Sequence, residues 1–258
     1  MSAGVQFDSS KAYAQQEQVY FDDGREAQLL RYILSRSDLD ELKSSPSKVL
    51  GAIDQFGRQQ KYLMNVGEDK GLELGGYVGY SAILFGEAAR SSGGEQYLCL
   101  ESNPEFASIA TTLIDLAGLG SFVKIMVGPS SDSLRKLHST AMLSHIDFLF
   151  LDHYKPSYLP DLKLCEQLGL IGDGAVIVAD NVIKPGNPPY LEYVRSSVEE
   201  KQRASSSRNA TAIAPDSDAT ILGNPSLVYE SELVHSFEPT GIPVSPRLKT
   251  ALKMLTIL

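Results

Sequence analysis

The sequence predicts an α/β domain built on a central, mostly parallel β-sheet with helices on both faces. Three observations carry that prediction. From Leu72 onward, short apolar runs (EQYLCLE, FVKIMVG, IDFLFLD, GAVIVAD) alternate with helical segments such as PEFASIATTLIDLAG and PDLKLCEQLG, which is the pattern of βαβ units. A glycine-rich turn, Gly75-Gly76-Tyr77-Val78-Gly79, joins the first run to a helix. Acids close several runs: Glu101, Asp152 and Asp180. In open parallel sheets ligands sit beyond the carboxyl ends of the strands, so the chemistry is expected there.

The 258 residues are 43% apolar, enough to bury one large core. A single domain over 21–258 is expected, behind an arm at 1–20 that lacks apolar periodicity. In the next segment, Arg25 to Arg36 places Leu29, Leu30, Ile33 and Leu34 on one helical face. A second helix from about Pro46 repeats the pattern with Val49, Leu50, Ile53 and Phe56, so the pair reads as a helical cover. The first strand is short. Only Leu72, Glu73 and Leu74 separate the glycine turn from Gly71 and the charged run Glu68-Asp69-Lys70, where a buried strand usually offers about four to eight apolar residues. ASSSRNATA, residues 204–212, reads as a solvated loop, and the terminal PRLKTALKMLTIL reads as an amphipathic helix.

Charge narrows the function classes. The net charge is 23 − 32 = −9, and no lysine/arginine cluster stands out, so neither nucleic acid nor anionic lipid is an expected partner. The N-terminus is polar without an apolar leader core, and no run approaches a membrane span, so a cytoplasmic protein with no membrane association is expected. It is expected to act as a monomer on a small molecule. Cys99 and Cys165 lie in apolar strand-like and helix-like runs, which suits buried thiols better than a disulfide or a metal pair.

The strand ends carry the candidate site. Around Glu73, Gly75, Tyr77 and Ser81, glycines permit close backbone approach, and the helix start at Ser81 offers free N–H groups to an anion. The spacing is not G-x-G-x-x-G, so a dinucleotide pyrophosphate is served less well than a ligand with a small carboxylate. Glu101, twenty-two residues after Gly79, can accept hydrogen bonds from both hydroxyls of a ribose. Together these signals favour S-adenosylmethionine over a nicotinamide cofactor. Farther on, Asp152, Asp180 and Asn181 are hard oxygen ligands of the kind Mg2+ prefers. A lone Asp at a strand end is more simply a helix cap, but two acids and an amide at the ends of consecutive runs favour a metal. His153 reads as a supporting residue and not as a ligand. Lys155, beside such a cation, is placed to serve as a general base.

At this point the chain resembles the cation-dependent catechol O-methyltransferases, of the Rossmann-like class I S-adenosylmethionine fold. The matching segments are MNVGEDKG, LELGGYVGYSA, ESNPEFASIA, AGL, FLDHYKPSYLPD, LIGDGAVIVADNVIKPG, YVRSS and VYES, in family order over most of residues 25 to 233. The resemblance implies that Asp152, Asp180 and Asn181 bind Mg2+, that Lys155 is the base, and that Glu230 holds the second hydroxyl of a catechol. It implies a cofactor site lined by Val66, Glu73, Gly75, Tyr77, Ser81, Glu101, Ser102, Ser130, Asp152 and His153. Tyr62, Met64, Tyr154 and Pro185 would wall the substrate ring, beside Lys155 and Asn181.

Two departures stand out. A helix and most of the first strand, which the family carries between MNVG…KG and LELG, are absent, and the C-terminus lacks the family's last apolar strand. Losing that burial removes several kcal/mol, at about 25 cal/mol per Å² of apolar surface. The whole margin of a fold is about 5–15 kcal/mol. The rival readings are therefore a non-catalytic or destabilised isoform and, more distantly, an NAD-dependent oxidoreductase, which has no use for the Asp/Asp-Asn set.

Overall fold

The computed structural model describes residues 22–59, 72–209, 221–236 and 249–257. Helices α1 (Arg25–Leu34), α2 (Leu39–Leu42) and α3 (Pro46–Gln59) precede the sheet. Then follow β1 (Leu72–Leu74), α4 (Tyr80–Ser91), β2 (Tyr97–Glu101), α5 (Pro104–Leu116), β3 (Val123–Val127), α6 (Ser130–Ser139) and β4 (Ile146–Leu151). After a 3-10 turn at Lys155–Ser157 come α7 (Tyr158–Gln167), β5 (Ile171–Ala179), a π turn at Val182–Gly186, α8 (Pro188–Arg195), α9 (Val198–Asn209), β6 (Val228–Ser236) and β7 (Lys249–Ile257). The sheet order is β3-β2-β1-β4-β5-β7-β6. Strands β1 to β5 are mutually parallel, and β7 runs antiparallel between β5 and β6.

Strand alternation splits the core into two. Leu74, Leu98, Leu100, Leu149, Leu151 and Ile177 face α6, α7 and α8, while Tyr97, Cys99 and Phe150 face α1, α3, α4 and α5. Each fully buried aliphatic side chain contributes about 1.5–3 kcal/mol against leaving it in water. The helical cover forms as its periodicity predicts, with Leu29, Ile33, Val49, Ile53 and Phe56 buried. Leu34 departs from the expected face and is 46% exposed, because it ends α1 and turns past the stripe. Both cysteines are free and buried, as their apolar runs imply.

Two expectations are corrected. The terminal segment is a strand and not an amphipathic helix: Lys249–Ile257 pairs with Val176–Ala179 of β5 on one side and Val228–Ser236 of β6 on the other. Two ladders satisfy its backbone at once, and such non-local pairing overrides a local helical periodicity. Residues 204–209 of the supposed loop belong to α9, where Ser205 and Ser206 donate back to the carbonyls of Lys201 and Gln202. Polarity without turn residues here marked a solvated helix, not a loop. The short first strand is as read, three residues beside neighbours of five and six. The arm at 1–20 and the segment carrying Tyr62, Met64 and Val66 lie outside the described residues.

Candidate active site

The glycine turn after β1 is packed so closely that side chains are excluded. Gly75 has φ +99°, and a Cβ there would stand 2.6 Å from the Asp152 carbonyl oxygen and 2.9 Å from His153 Cα. A Cβ on Gly76 would strike the Cys99 sulfur, and one on Gly79, at φ +86°, would meet Ala110 at 2.9 Å. Only glycine fits such approaches. Tyr77 takes φ +44°; its hydroxyl donates to Glu26 of α1 at 2.7 Å, tying the turn to the helical cover.

Two carboxylates flank this turn in different ways. Glu101, at the end of β2, accepts from the backbone N–H of Tyr77 at 2.8 Å and of Asn103 at 2.8 Å, one on each oxygen. Each oxygen keeps a second lone pair for a further donor. Glu73, on β1, is fully buried and accepts from the Ser81 hydroxyl and, at 3.5 Å, from the Tyr97 hydroxyl. Burial pushes its carboxyl up to about 8, against the Ser81 hydrogen bond and with help from the negative Asp152 and Glu101. Glu73 and Ser81 are thus bonded to each other inside the core.

The second group sits where β4 and β5 end. Their register pairs Leu151 with Ala179, so Asp152 and Asp180 leave the sheet side by side, and Asp180 N–H donates to the Leu151 carbonyl at 3.0 Å. Lys155, only 7% exposed, donates from Nζ to Asp152 Oδ1 at 3.1 Å and to the Tyr158 hydroxyl at 2.5 Å. Tyr158 in turn donates to the Asp180 carbonyl at 3.3 Å. Asn181 adopts φ 57° and donates its N–H to Asp180 Oδ1 at 2.8 Å. The 3-10 turn is held by Asn187, whose amide donates to the Lys155 carbonyl at 2.7 Å.

Asp161, one turn along α7 from Tyr158, joins two more candidates: its Oδ2 accepts the Ser130 hydroxyl at 2.5 Å and lies 2.8 Å from His153 Nε2. The His153 ring stacks on Tyr158 with centroids 4.9 Å apart. Tyr158 and Asp161 escaped the sequence reading, although their i+3 and i+6 spacing from Lys155 in KPSYLPD was there to be used. Tyr154 is 71% exposed beside Lys155, Ser102 is exposed after β2, and Pro185 lies in the π turn after Asn181.

One candidate is not brought to the cluster. Glu230 pairs with Leu255 of β7, which pairs with Val176 of β5, so Glu230 stands level with a residue four positions before Asp180. At about 3.3 Å per residue, this places Glu230 about 13 Å below Asp180 along the strands. The register thus sets Glu230 apart from the strand ends where the other candidates gather. A surface concavity lined by Gln28, Arg31, Tyr32, Leu34, Ser35 and Phe56 contains none of the candidate residues. Among the described residues, no helix is long and apolar enough to cross a membrane.

The O-methyltransferase family profile matches residues 39–206. The chain is 36% identical to the catechol O-methyltransferase of Bos taurus over 67% of this chain and 67% of that protein. It is 41% identical to catechol O-methyltransferase B of Danio rerio over 60% of this chain and 64% of that one. It is also 33% identical to the transmembrane O-methyltransferase of Homo sapiens over 66% and 62% of the two chains. The chain thus spans about two thirds of the length of these relatives.

Proposed function

The chain belongs to the O-methyltransferase family, and from that premise we propose that it carries out S-adenosylmethionine- and Mg2+-dependent O-methylation of a catechol-type small molecule. The observation that carries the reading is the Lys155–Asp152 pair, set beside Asp180 and against the Gly75 turn. A general base, two hard carboxylates and a side-chain-free cradle meet at the same strand ends.

The residues present fit both S-adenosylmethionine and Mg2+. The cradle at Gly75, Gly76 and Gly79 leaves space that any Cβ would fill, and Glu101 is held by two backbone donors with lone pairs to spare for ribose hydroxyls. Asp152, Asp180 and the Asn181 amide oxygen form a hard, oxygen-only donor set of the type Mg2+ takes. Among the described residues, no group of three His, Cys, Asp or Glu gathers to hold a metal. When bound, S-adenosylmethionine supplies a methyl group on positive sulfur, and Mg2+ supplies charge that orients and acidifies a catechol hydroxyl. The chain's part is positional: Lys155 Nζ, fixed at Asp152, would receive the phenol proton, and the packed turn would hold the methyl donor at the same strand ends. His153 and Ser130, both tied to Asp161, would flank the base of the nucleoside. Tyr154, exposed beside Lys155, would face the substrate ring. For Glu230, three residues into β6, to hold the second hydroxyl, the substrate would extend toward the level of Val176.

The test joins titration calorimetry with S-adenosylhomocysteine to a methylation assay on dihydroxybenzoate, with and without Mg2+, on the parent chain and on Lys155→Met. Saturable binding, Mg2+-dependent product and a large fall in kcat for the variant support the reading; cofactor binding without any product overturns it. That outcome would favour a non-catalytic role, a reading that rests on the three-residue β1 in the middle of the sheet.

A further inference from the structure

We propose that Tyr158 is the positioning residue of Lys155, holding its amine at the point where Asp152 and Asp180 leave the sheet; this rests on the reading of Lys155 as the base. Tyr158 is fully buried at the first turn of α7. Its hydroxyl accepts from Lys155 Nζ at 2.5 Å and donates to the Asp180 carbonyl at 3.3 Å, so one phenol bridges the ends of β4 and β5. Its ring lies beside the amine as well, with Nζ 4.7 Å from the centroid. The ring itself cannot drift, because His153 stacks on it and Tyr190 meets it edge-on at 5.9 Å.

A lysine has four rotatable side-chain bonds, and its stem needs more than one contact to keep the amine in a single place. Here Asp152 supplies one, at 3.1 Å, from the end of β4, where its backbone N–H donates to the Leu74 carbonyl at 3.0 Å. Tyr158 supplies the other from a helix whose buried face is fixed in the core, with Leu162 and Cys165 beneath it. The hydroxyl therefore fixes the amine from a second, independent element, where Asp152 alone would leave it free to swing about one contact. Nothing about the packing of the ring requires an oxygen at that position, since Phe would preserve the contacts with His153 and Tyr190.

Tyr158→Phe tests this, because it removes the oxygen and leaves the ring. In the unliganded protein, acetic anhydride labelling read by peptide mass spectrometry should modify Lys155 several-fold faster in the variant than in the parent chain. In the methylation assay, kcat should fall roughly 10-fold to 100-fold, the loss expected for a reacting group displaced by about 1 Å, while KM for the cofactor stays close to the parent value. In a Lys155→Met background, Tyr158→Phe should cost almost nothing further in kcat. Unchanged Lys155 labelling overturns the proposal, as does a lower melting temperature with unaltered kcat, which is the mark of a purely structural hydroxyl. A Lys155→Met protein with full activity would instead defeat the base assignment, and with it the role given to Tyr158. If the parent chain makes no product, the labelling comparison alone decides.

Discussion

A methyl group on Gly75 would lie 2.6 Å from the carbonyl oxygen of Asp152, so the turn after β1 and the acid after β4 are in backbone contact. The cradle and the acid–lysine cluster are therefore parts of one site. Gly75→Ala would add that clash to a φ of +99°, a strain of about 1–3 kcal/mol or more. The variant should melt several degrees lower and bind S-adenosylhomocysteine more weakly, by thermal melts and calorimetry. Parent-like values in both would mean that the turn is free to move.

Removing Asp180 should separate metal from cofactor. Asp152→Ala and Asp180→Ala should abolish Mg2+-dependent turnover, and Asp180→Ala should leave cofactor affinity largely intact, because the proposed function gives Asp180 to the metal and not to the cofactor. EDTA should have the same effect on the parent chain. A methylation rate that EDTA leaves untouched would sink the metal assignment.

Glu73 gives a pH signature. Its carboxyl, raised by burial from 4.5 to about 8, holds a proton in the folded state that the unfolded chain has released. Between those values the native state binds more protons, so Glu73 makes stability fall as pH rises through the window. Glu73→Gln keeps a partner for Ser81 without the buried charge. Its melting temperature should therefore gain on the parent chain between about pH 5 and about pH 9. A constant difference across that range would show that Glu73 does not titrate there.

The three-residue β1 should limit the protein. It anchors the glycine turn through only two register pairs with β2 and three with β4. Any fraction of molecules with a loosened turn lowers the apparent cofactor affinity in proportion. Inserting a helix and strand lead-in at Gly71, as in the family, should raise both melting temperature and S-adenosylhomocysteine affinity. Equal values for the two versions would show that the shortened strand is sufficient.

Much of this site was legible because its parts obey local rules. A glycine before a helix, an acid at the end of an apolar run and an Asp-Asn pair after VIVA each mark a strand's carboxyl end by residue type alone. Tyr158 and Asp161 were not legible in that way: a Tyr and an Asp in a first helical turn usually face solvent or cap the helix, and only the docking of α7 turned both inward. The position of Glu230 was hidden for the opposite reason. Its segment was recognised, but its height in the sheet depends on β7, whose own strand identity no local pattern announced.

The sequence by itself determined the α/β class, the two-sided burial and the residue types gathered at the strand ends, because period-2 and period-3.6 patterns act over a few residues. The tertiary structure alone decided three further things: that the last segment closes the sheet as β7, that Glu230 sits below the site, and that Lys155 is held between Asp152 and Tyr158. Those outcomes depend on strand register and on helix docking across the sheet. Both are set by backbone pairing and packing between distant segments, which no short stretch of the chain encodes.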